Sequence, residues 1–180
     1  MSLTPSYMVE LGFSAPAFEL TNVFSGLPTK LQDVAGEKGL LVMFICNHCP
    51  FVIHLEQALV ALGKEFYGTG LGIVAISAND AENYPQDRPE LMAEKPYGFP
   101  YLYDESQEVA KAYKAECTPD FFLFDGDLKC VYRGRFDDSK PGNGKPVTGS
   151  DLREVMTALL KGKPINQNQQ PSMGCNIKWR

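Results

Sequence analysis

Two cysteines separated by two residues are the feature of this sequence with the clearest chemical meaning. Cys46 and Cys49 enclose Asn47 and His48, and they lie where an apolar run at 40–45 ends and a helical pattern begins. Unpaired N–H groups and the dipole at a helix N-terminus stabilise an anion, so a thiol placed there has a lowered pKa and reacts as its thiolate. The spacing lets one sulfur reach the other across one turn, which predicts a redox-active dithiol.

His48 strengthens this interpretation, although a solvated loop residue is the simpler alternative. As an imidazolium, it would favour an adjacent thiolate by its charge. A stabilised thiolate makes the corresponding disulfide a better oxidant. We therefore predict a functional role for His48 beside the two sulfurs.

The second motif is Thr118-Pro119, which precedes another apolar run at 120–124. An Xaa–Pro peptide bond adopts the cis form at a small energetic cost, so a cis bond is physically accessible at Pro119.

The regular elements around these motifs alternate in a way that predicts an α/β fold. Buried strands at 40–45 and 71–77 enclose a helix at 51–66, and this order implies a parallel strand pair with a crossover helix. The later predicted elements are a strand at 101–103, a helix at 105–115, hairpin strands at 120–124 and 128–136, and a helix at 151–161 capped by Ser150. Together they predict one domain over residues 1–162, with a central mixed sheet flanked by helices, and a C-terminal tail at 163–180 packed on it.

Taken together, the two motifs resemble those of the thioredoxin superfamily, over about residues 10–162. In that superfamily the Cys-x-x-Cys motif opens the first long helix, a cis-proline packs against it, and the backbone beside the proline pairs with the substrate chain. The resemblance implies a thioredoxin-like fold with four catalytic residues and two substrate-binding residues: Cys46, Cys49, His48 and Pro119, and Thr118 and Asn47.

Two further segments are similar to narrower groups. The long segment between residues 77 and 101 and the opening at 12–18 resemble the peroxiredoxin-like branch, the alkyl hydroperoxide reductase/thiol-specific antioxidant group. The sequences CNHCPFV at 46–52 and PSMGCNIKW at 171–179 resemble an uncharacterised bacterial family of redoxins.

The departures from these families concern proton transfer and peroxide. The strand at 40–45 carries no acid, so proton transfer would need water, His48 or another group. Peroxiredoxins place a proline seven residues and a Thr or Ser three residues before the attacking cysteine, and both registers fail here. Arg133 and Arg135 are the candidates for the arginine that peroxide activation needs, and the alternative is that both point to solvent.

The attacking sulfur can be assigned in two ways. His48 precedes Cys49 as in the more oxidising members of the superfamily, which favours Cys46 as the exposed nucleophile. An ungapped alignment from Phe44 instead puts Cys49-Pro50 in the usual nucleophile position. We favour Cys46.

Three cysteines lie outside the motif. Cys117 precedes Thr118-Pro119 and is either an additional exchanging thiol or a buried small apolar residue. Cys175 is either a resolving thiol, in the same or a partner chain, or part of a passive anchored tail. Cys130 is assigned no role.

These features predict a thiol-disulfide oxidoreductase that exchanges with disulfides of proteins or small molecules, takes reducing equivalents from a dithiol partner and needs no bound cofactor or metal. The alternatives are a thiol-dependent peroxidase with an antioxidant role, and Cu or Zn binding or delivery by the Cys-x-x-Cys motif. The net charge of −5 argues against a nucleic-acid partner. No apolar run is long enough for a membrane span and residues 1–15 lack a secretory pattern, so the expected compartment is the cytoplasm.

Overall fold

The computed structural model describes residues 3–180. In this range the chain forms ten strands, five α-helices and a 3-10 turn at Pro85–Asp87. The strands are β1 (Leu3–Pro5), β2 (Glu19–Asn22), β3 (Pro28–Lys30), β4 (Gly39–Phe44), β5 (Leu71–Ser77), β6 (Tyr101–Tyr103), β7 (Cys117–Thr118), β8 (Asp120–Asp125), β9 (Cys130–Gly134) and β10 (Met173–Asn176). The helices are α1 (Leu31–Val34), α2 (Pro50–Phe66), α3 (Pro89–Met92), α4 (Glu108–Ala112) and α5 (Ser150–Leu160). None of these helices is long and apolar enough to cross a membrane.

The main sheet is mixed, which confirms the expected α/β fold class. β4 pairs antiparallel with β8, and β8 with β9, whereas β5 pairs in parallel with β6. β2 lies antiparallel between β3 and β6. The N–H of Ile45 donates to the carbonyl of Ile76 at 3.0 Å, which places the end of β4 beside β5. Every residue of β4 is buried, as expected for a strand covered by helices on both faces.

The two faces of the sheet carry separate apolar cores, and the cysteine pair belongs to one of them. Successive side chains of a strand alternate between faces. Leu41 and Met43 of β4 therefore face α2, whose Leu59 and Leu62 are fully buried, while Leu40 faces the opposite core. Each fully buried leucine contributes roughly 1.5–3 kcal/mol of transfer free energy. This packing fixes α2, and with it the start of the helix beside the cysteines.

Helix α4 is shorter than the helix predicted at 105–115, because tertiary contacts override the local pattern at its start. Gln107 has a left-handed backbone, with φ of 65°, which a right-handed helix cannot include. Its buried side-chain amide donates to the carbonyls of Ala78 and Lys178, at 2.7 and 2.9 Å.

Helix α5 begins differently from the prediction, since Ser150 is its first residue and not its cap. Gly149 is the N-cap, with φ of 66°. Its N–H donates at 2.7 Å to the carboxylate of Asp137, a residue too distant in sequence to belong to a local capping pattern. A Cβ atom at position 149 would lie 2.6 Å from the ring of Phe136, so glycine is required there.

The segment at 163–180 returns to the domain and supplies β10. This strand lies antiparallel between β1 and β7, so the first and last strands are paired and β10 lies beside Thr118. Beyond it, the N–H of Lys178 donates to the side-chain oxygen of Asn79 at 2.9 Å.

Candidate active site

Both sulfurs lie at the N-terminus of α2. Cys46 follows β4 after one residue, and Cys49 is the N-cap, with Pro50 as the first helical residue. Proline suits that position because it has no N–H to leave unpaired. Cys46 is 2% exposed and Cys49 0%, so the expectation of an exposed Cys46 is wrong. The reason is an apolar cluster that encloses both sulfurs and includes Tyr101 and Cys175.

The Thr118–Pro119 peptide bond is cis, and the two sulfurs lie against Thr118. Cys49 Sγ is 3.2 Å from the carbonyl oxygen of Thr118, and Cys46 Sγ is 3.6 Å from its hydroxyl oxygen. The pairing of β4 with β8 sets these distances, because the two motifs lie at adjoining ends of these strands, where Phe44 faces Asp120.

A buried carboxylate, which the sequence analysis missed, holds the loop between the two cysteines. Asp87 is 0% exposed. Its Oδ1 accepts hydrogen bonds from the backbone N–H groups of Asn47 and His48, at 2.8 and 3.3 Å. Its Oδ2 lies 2.6 Å from Nδ1 of His48 and accepts from the side-chain amide of Asn79 at 2.9 Å. Asp87 lies in a proline-rich segment with no periodic pattern, so no local signal connects it to the cysteines.

The side chains of Asn47 and His48 are both held within the protein. The amide of Asn47 donates to the carbonyl of Gln86 at 3.0 Å and accepts from the hydroxyl of Tyr101 at 3.2 Å. The ring of His48 stacks on that of Tyr84, with centroids 5.6 Å apart. These contacts fix the shape of the loop that carries the cysteines.

Cys175 lies against Cys49. In the pairing of β10 with β7, Cys175 is directly opposite Thr118. The thiol and the backbone N–H of Cys175 both donate hydrogen bonds to the sulfur of Cys49. Three of the five cysteines therefore meet at Thr118.

Hydrogen bonds distribute the charge unequally among these three sulfurs. Hydrogen bonds donated chiefly by Cys46, and also by Cys175, lower the pKa of Cys49 to about 4, although burial opposes this shift. The pKa of Cys46 is raised well above its ordinary value by its hydrogen bond to Cys49, by burial and by the negative charge of Asp87. Burial, followed by the bond to Cys49, raises the pKa of Cys175 to about 12. These hydrogen bonds favour the thiolate form of Cys49, and a protonated Cys49 would donate to the carbonyl of Thr118 instead.

Burial favours the thiol form of the two remaining cysteines. The sulfur of Cys117 lies 3.6 Å from the carbonyl oxygen of Pro119, and its pKa is raised chiefly by burial. The sulfur of Cys130 lies 3.4 Å from the carbonyl oxygen of Tyr132, and burial raises its pKa to about 11.

The two arginines considered for peroxide activation are engaged with other groups. Arg133 donates to the carbonyl of Val9 and to the side-chain oxygen of Gln169. Arg135 forms an ion pair with Asp151, with 2.7 Å between nitrogen and oxygen.

The fold and the dithiol at a helix N-terminus place the chain among the thioredoxin-like redox proteins. A sequence model of the AhpC/TSA family matches residues 11–133, and the chain belongs to this family. The resemblance found in the sequence is thereby confirmed. Membership supports a thiol-based redox activity, as an oxidoreductase or a peroxidase.

Two solved structures are similar over nearly the whole chain. An uncharacterized conserved protein from Geobacillus kaustophilus is 54% identical, with a TM-score of 0.98, and the match covers 100% of this chain and 97% of that one. A hypothetical protein from Sinorhizobium meliloti 1021 is 48% identical, with a TM-score of 0.95 and 98% of each chain covered. The thioredoxin domain of a thiol-disulfide oxidoreductase from Bacteroides vulgatus shares the fold, at 23% identity and a TM-score of 0.58, over 69% of this chain and 88% of that one. No curated protein matches the chain significantly.

Proposed function

We propose that the protein is a thiol-disulfide oxidoreductase whose working dithiol is Cys46 and Cys49. The observation that carries this proposal is the contact of both sulfurs with the segment of the cis Thr118–Pro119 bond, at the start of a helix. Its substrates are disulfides of proteins or small molecules. A dithiol partner returns the oxidised protein to the reduced state.

Cys49 begins the exchange, because hydrogen bonds from Cys46 and Cys175 lower the pKa of its thiol. Its thiolate attacks one sulfur of the substrate disulfide, the other substrate sulfur leaves as a thiolate, and a mixed disulfide forms on Cys49. Cys46 then loses its proton and attacks the sulfur of Cys49. This step closes the Cys46–Cys49 disulfide and releases the second substrate sulfur, and the proton of Cys46 passes to a released thiolate. Two protein thiols are oxidised and one substrate disulfide is reduced.

His48 and Asp87 are placed to assist that proton transfer. Cys46 Sγ, a ring nitrogen of His48 and a carboxylate oxygen of Asp87 all lie within 4.8 Å of one another. We assign His48 as the group that receives the proton of Cys46, and Asp87 as the positioning residue that orients the imidazole through Nδ1. Thr118 and Pro119 shape the surface against which the sulfurs react.

The substitutions Cys46→Ser and Cys49→Ser test these roles. With insulin as the disulfide substrate, we expect Cys46→Ser to form a mixed disulfide on Cys49, and Cys49→Ser to form no adduct. An adduct trapped on Cys46 in Cys49→Ser would instead restore the assignment favoured from the sequence. If the wild-type protein, supplied with a dithiol reductant, accelerates neither insulin reduction nor the reduction of a small disulfide, the oxidoreductase proposal is wrong.

A thiol peroxidase is the second candidate, because the chain belongs to the AhpC/TSA family and Cys49 carries a thiolate. Peroxide would oxidise Cys49 to a sulfenic acid with release of water or alcohol, and Cys46 would condense with it to the disulfide with release of water. The engagement of Arg133 and Arg135 elsewhere argues against fast peroxide activation. Stopped-flow consumption of hydrogen peroxide by the reduced protein discriminates between the two: a rate far above that of a simple low-pKa thiol favours the peroxidase.

Metal binding is the third candidate. Cys46, His48 and Asp87 offer a sulfur, a nitrogen and an oxygen within 4.8 Å of one another. However, the two oxygens of Asp87 already take part in four hydrogen bonds, which is the usual capacity of a carboxylate. We therefore expect no stoichiometric Cu or Zn in the purified protein, and stoichiometric metal that is lost in Cys46→Ser would revive this candidate.

A further inference from the structure

We propose that Cys175 is a third redox thiol, which exchanges disulfides with Cys49 in competition with Cys46. This inference rests on the proposed oxidoreductase function and extends it to a site of three sulfurs, in which Cys49 is the shared partner. The disulfide would alternate between a Cys46–Cys49 form and a Cys49–Cys175 form.

The backbone holds Cys175 at the site through a close strand pairing. Cys175 is opposite Thr118 in the register of β10 and β7, and Thr118 contacts the sulfurs of both Cys46 and Cys49. The preceding residue, Gly174, packs so closely that a Cβ atom there would lie 1.9 Å from the carbonyl oxygen of Thr118. The two strands therefore approach each other at a distance that only glycine allows.

The side chain of Cys175 is directed at the reacting sulfur, whereas the anchoring of the tail depends on other residues. Cys175 is 3% exposed and lies in the same apolar cluster as both sulfurs, and hydrogen bonds from it to Cys49 help to lower the pKa of Cys49. The tail is tied down separately by Ser172, whose hydroxyl donates to the carbonyl of Pro119 at 2.5 Å, and by Lys178, whose carbonyl accepts from Gln107. An anchor would not need a sulfur at position 175.

The exchange is chemically balanced without any additional reagent. When a substrate forms a mixed disulfide on Cys49, the thiol of Cys175 attacks the sulfur of Cys49, closes the Cys49–Cys175 bond and releases the substrate thiolate, which takes up the proton of Cys175. When Cys46 and Cys49 are already joined, attack by Cys175 on Cys49 breaks that bond, forms Cys49–Cys175 and leaves Cys46 with the proton. The second reaction moves the disulfide without net oxidation.

This exchange would couple the position of the disulfide to the attachment of the tail. In the Cys49–Cys175 form, a covalent bond would fasten β10 across the site and Cys46 would be a thiol. In the Cys46–Cys49 form, β10 would be held by its hydrogen bonds alone. A reducing dithiol partner that must displace β10 to reach the buried Cys49 would therefore react with the second form more readily.

The experiment uses full-length Cys46→Ser, in which Cys175 alone can resolve an adduct on Cys49 if the proposal holds. The reduced variant is treated with oxidised glutathione, quenched with acid, alkylated and mapped by mass spectrometry. We expect a transient glutathione adduct on Cys49 that converts to a Cys49–Cys175 disulfide. Trypsin separates the two cysteines, because Lys38 and Lys64 bracket Cys49 and Cys175 lies in a later peptide.

Two double variants serve as matched controls. We expect Cys46→Ser/Cys175→Ser to keep the glutathione adduct, with complete loss of the intramolecular disulfide. Cys46→Ser/Cys117→Ser should still form Cys49–Cys175, although Cys117 is also adjacent to Thr118. A thermal melt of each reduced variant verifies that it is folded. A disulfide-linked peptide that contains Cys175 is also sought in the oxidised wild-type protein, so that the disulfide is tested without any substitution.

The results separate this inference from the proposed function. If the wild-type protein reduces insulin but neither it nor folded Cys46→Ser forms a Cys175-linked disulfide, the third thiol is refuted and the oxidoreductase proposal stands. If Cys46→Ser forms Cys49–Cys175 while the wild-type protein reduces no disulfide substrate, the three-sulfur site stands and the oxidoreductase proposal fails.

Discussion

Two cysteines flank the cis Thr118–Pro119 segment and are equally inaccessible, yet their thiols differ sharply in acidity. Cys49 and Cys117 are each 0% exposed. The sulfur of Cys49 accepts hydrogen bonds from two thiols and a backbone N–H, and its pKa falls to about 4. Burial raises the pKa of Cys117 well above the ordinary value.

The comparison shows that burial does not by itself decide the reactivity of a cysteine in this fold. Desolvation raises the pKa at both positions, and at Cys49 the donated hydrogen bonds outweigh it. Reactive thiols should therefore be sought by counting the donors aimed at each sulfur, as well as by exposure.

The largest expected effect is on disulfide exchange. Cys49→Ser should abolish insulin reduction, because the thiolate is lost, whereas Cys117→Ser should retain nearly the wild-type rate. The two variants are matched, because each replaces a buried sulfur beside the same peptide bond. A comparable loss of insulin reduction in both folded variants would show that Cys117 also takes part in disulfide exchange. The proposed difference between Cys49 and Cys117 would then be wrong.

The next effect is on the pH dependence of stability. The pKa of Cys49 is about 4 in the folded protein and near 9 in the unfolded chain, so between these values the unfolded state binds more protons at this group. Its contribution to the free energy of unfolding is therefore present above pH 9 and is lost as pH falls toward 4. Cys117 has the opposite sign: its raised pKa contributes stability that is lost only above pH 9.

Urea denaturation of the reduced proteins between pH 5 and pH 8 measures this difference. We expect the gap in unfolding free energy between the wild-type protein and Cys49→Ser to widen as pH rises. The gap to Cys117→Ser should stay constant over the same range. A constant gap for both variants would mean that Cys49 is an ordinary thiol.

A third prediction concerns the strand that covers Cys49. Gly174→Ala should lower the free energy of unfolding by up to about 3 kcal/mol, because the new methyl group would collide with the backbone oxygen of Thr118. It should also make Cys49 more accessible to alkylation, since β10 would be displaced. Gly98→Ala is the matched control, because no atom lies within 4 Å of its added Cβ. Equal stability of the two variants would show that β10 is not closely packed.

Much of the fold followed from local patterns. The strand at 71–77, the strand at 101–103 and the helix starting near residue 51 agree closely with β5, β6 and α2, because each has a strong apolar pattern with clear ends. Gln107 and Gly149 were not anticipated as helix boundaries. In both cases the decisive contacts come from residues distant in sequence, which periodicity does not report.

The candidate site was only partly predictable for the same reason. The spacing of Cys46 and Cys49 and the Thr118-Pro119 pair are local signals, and the sheet register brings them together. The strand before the cysteines carries no acid, as the sequence shows, but no local pattern indicated that Asp87 would provide a carboxylate from a proline-rich segment. The burial of Cys46 was also missed, since it depends on tertiary neighbours.

The smallest expected effect tests this carboxylate. Asp87→Asn keeps the shape of the side chain and an oxygen for the N–H groups of the loop, but it turns an NH₂ group toward the donor of Asn79. We expect a loss of about 1–2 kcal/mol in the free energy of unfolding, because the buried amide of Asn79 loses its acceptor. Removal of the negative charge should also lower the pKa of Cys46, since Asp87 helps to raise it.

Asp127→Asn is the control for this substitution, because Asp127 is exposed in the turn between β8 and β9. It should change neither stability nor thiol chemistry. The pH profile of resolution, measured as release of the mixed disulfide on Cys49 by Cys46, separates a positioning role from a merely structural one. If Asp87 acts through His48 and Cys46, the profile moves to lower pH in Asp87→Asn. If the variant is less stable but its pH profile of resolution is unchanged, Asp87 only holds the loop in place. The difference in pKa between the sulfurs would then come from their hydrogen bonds and burial alone.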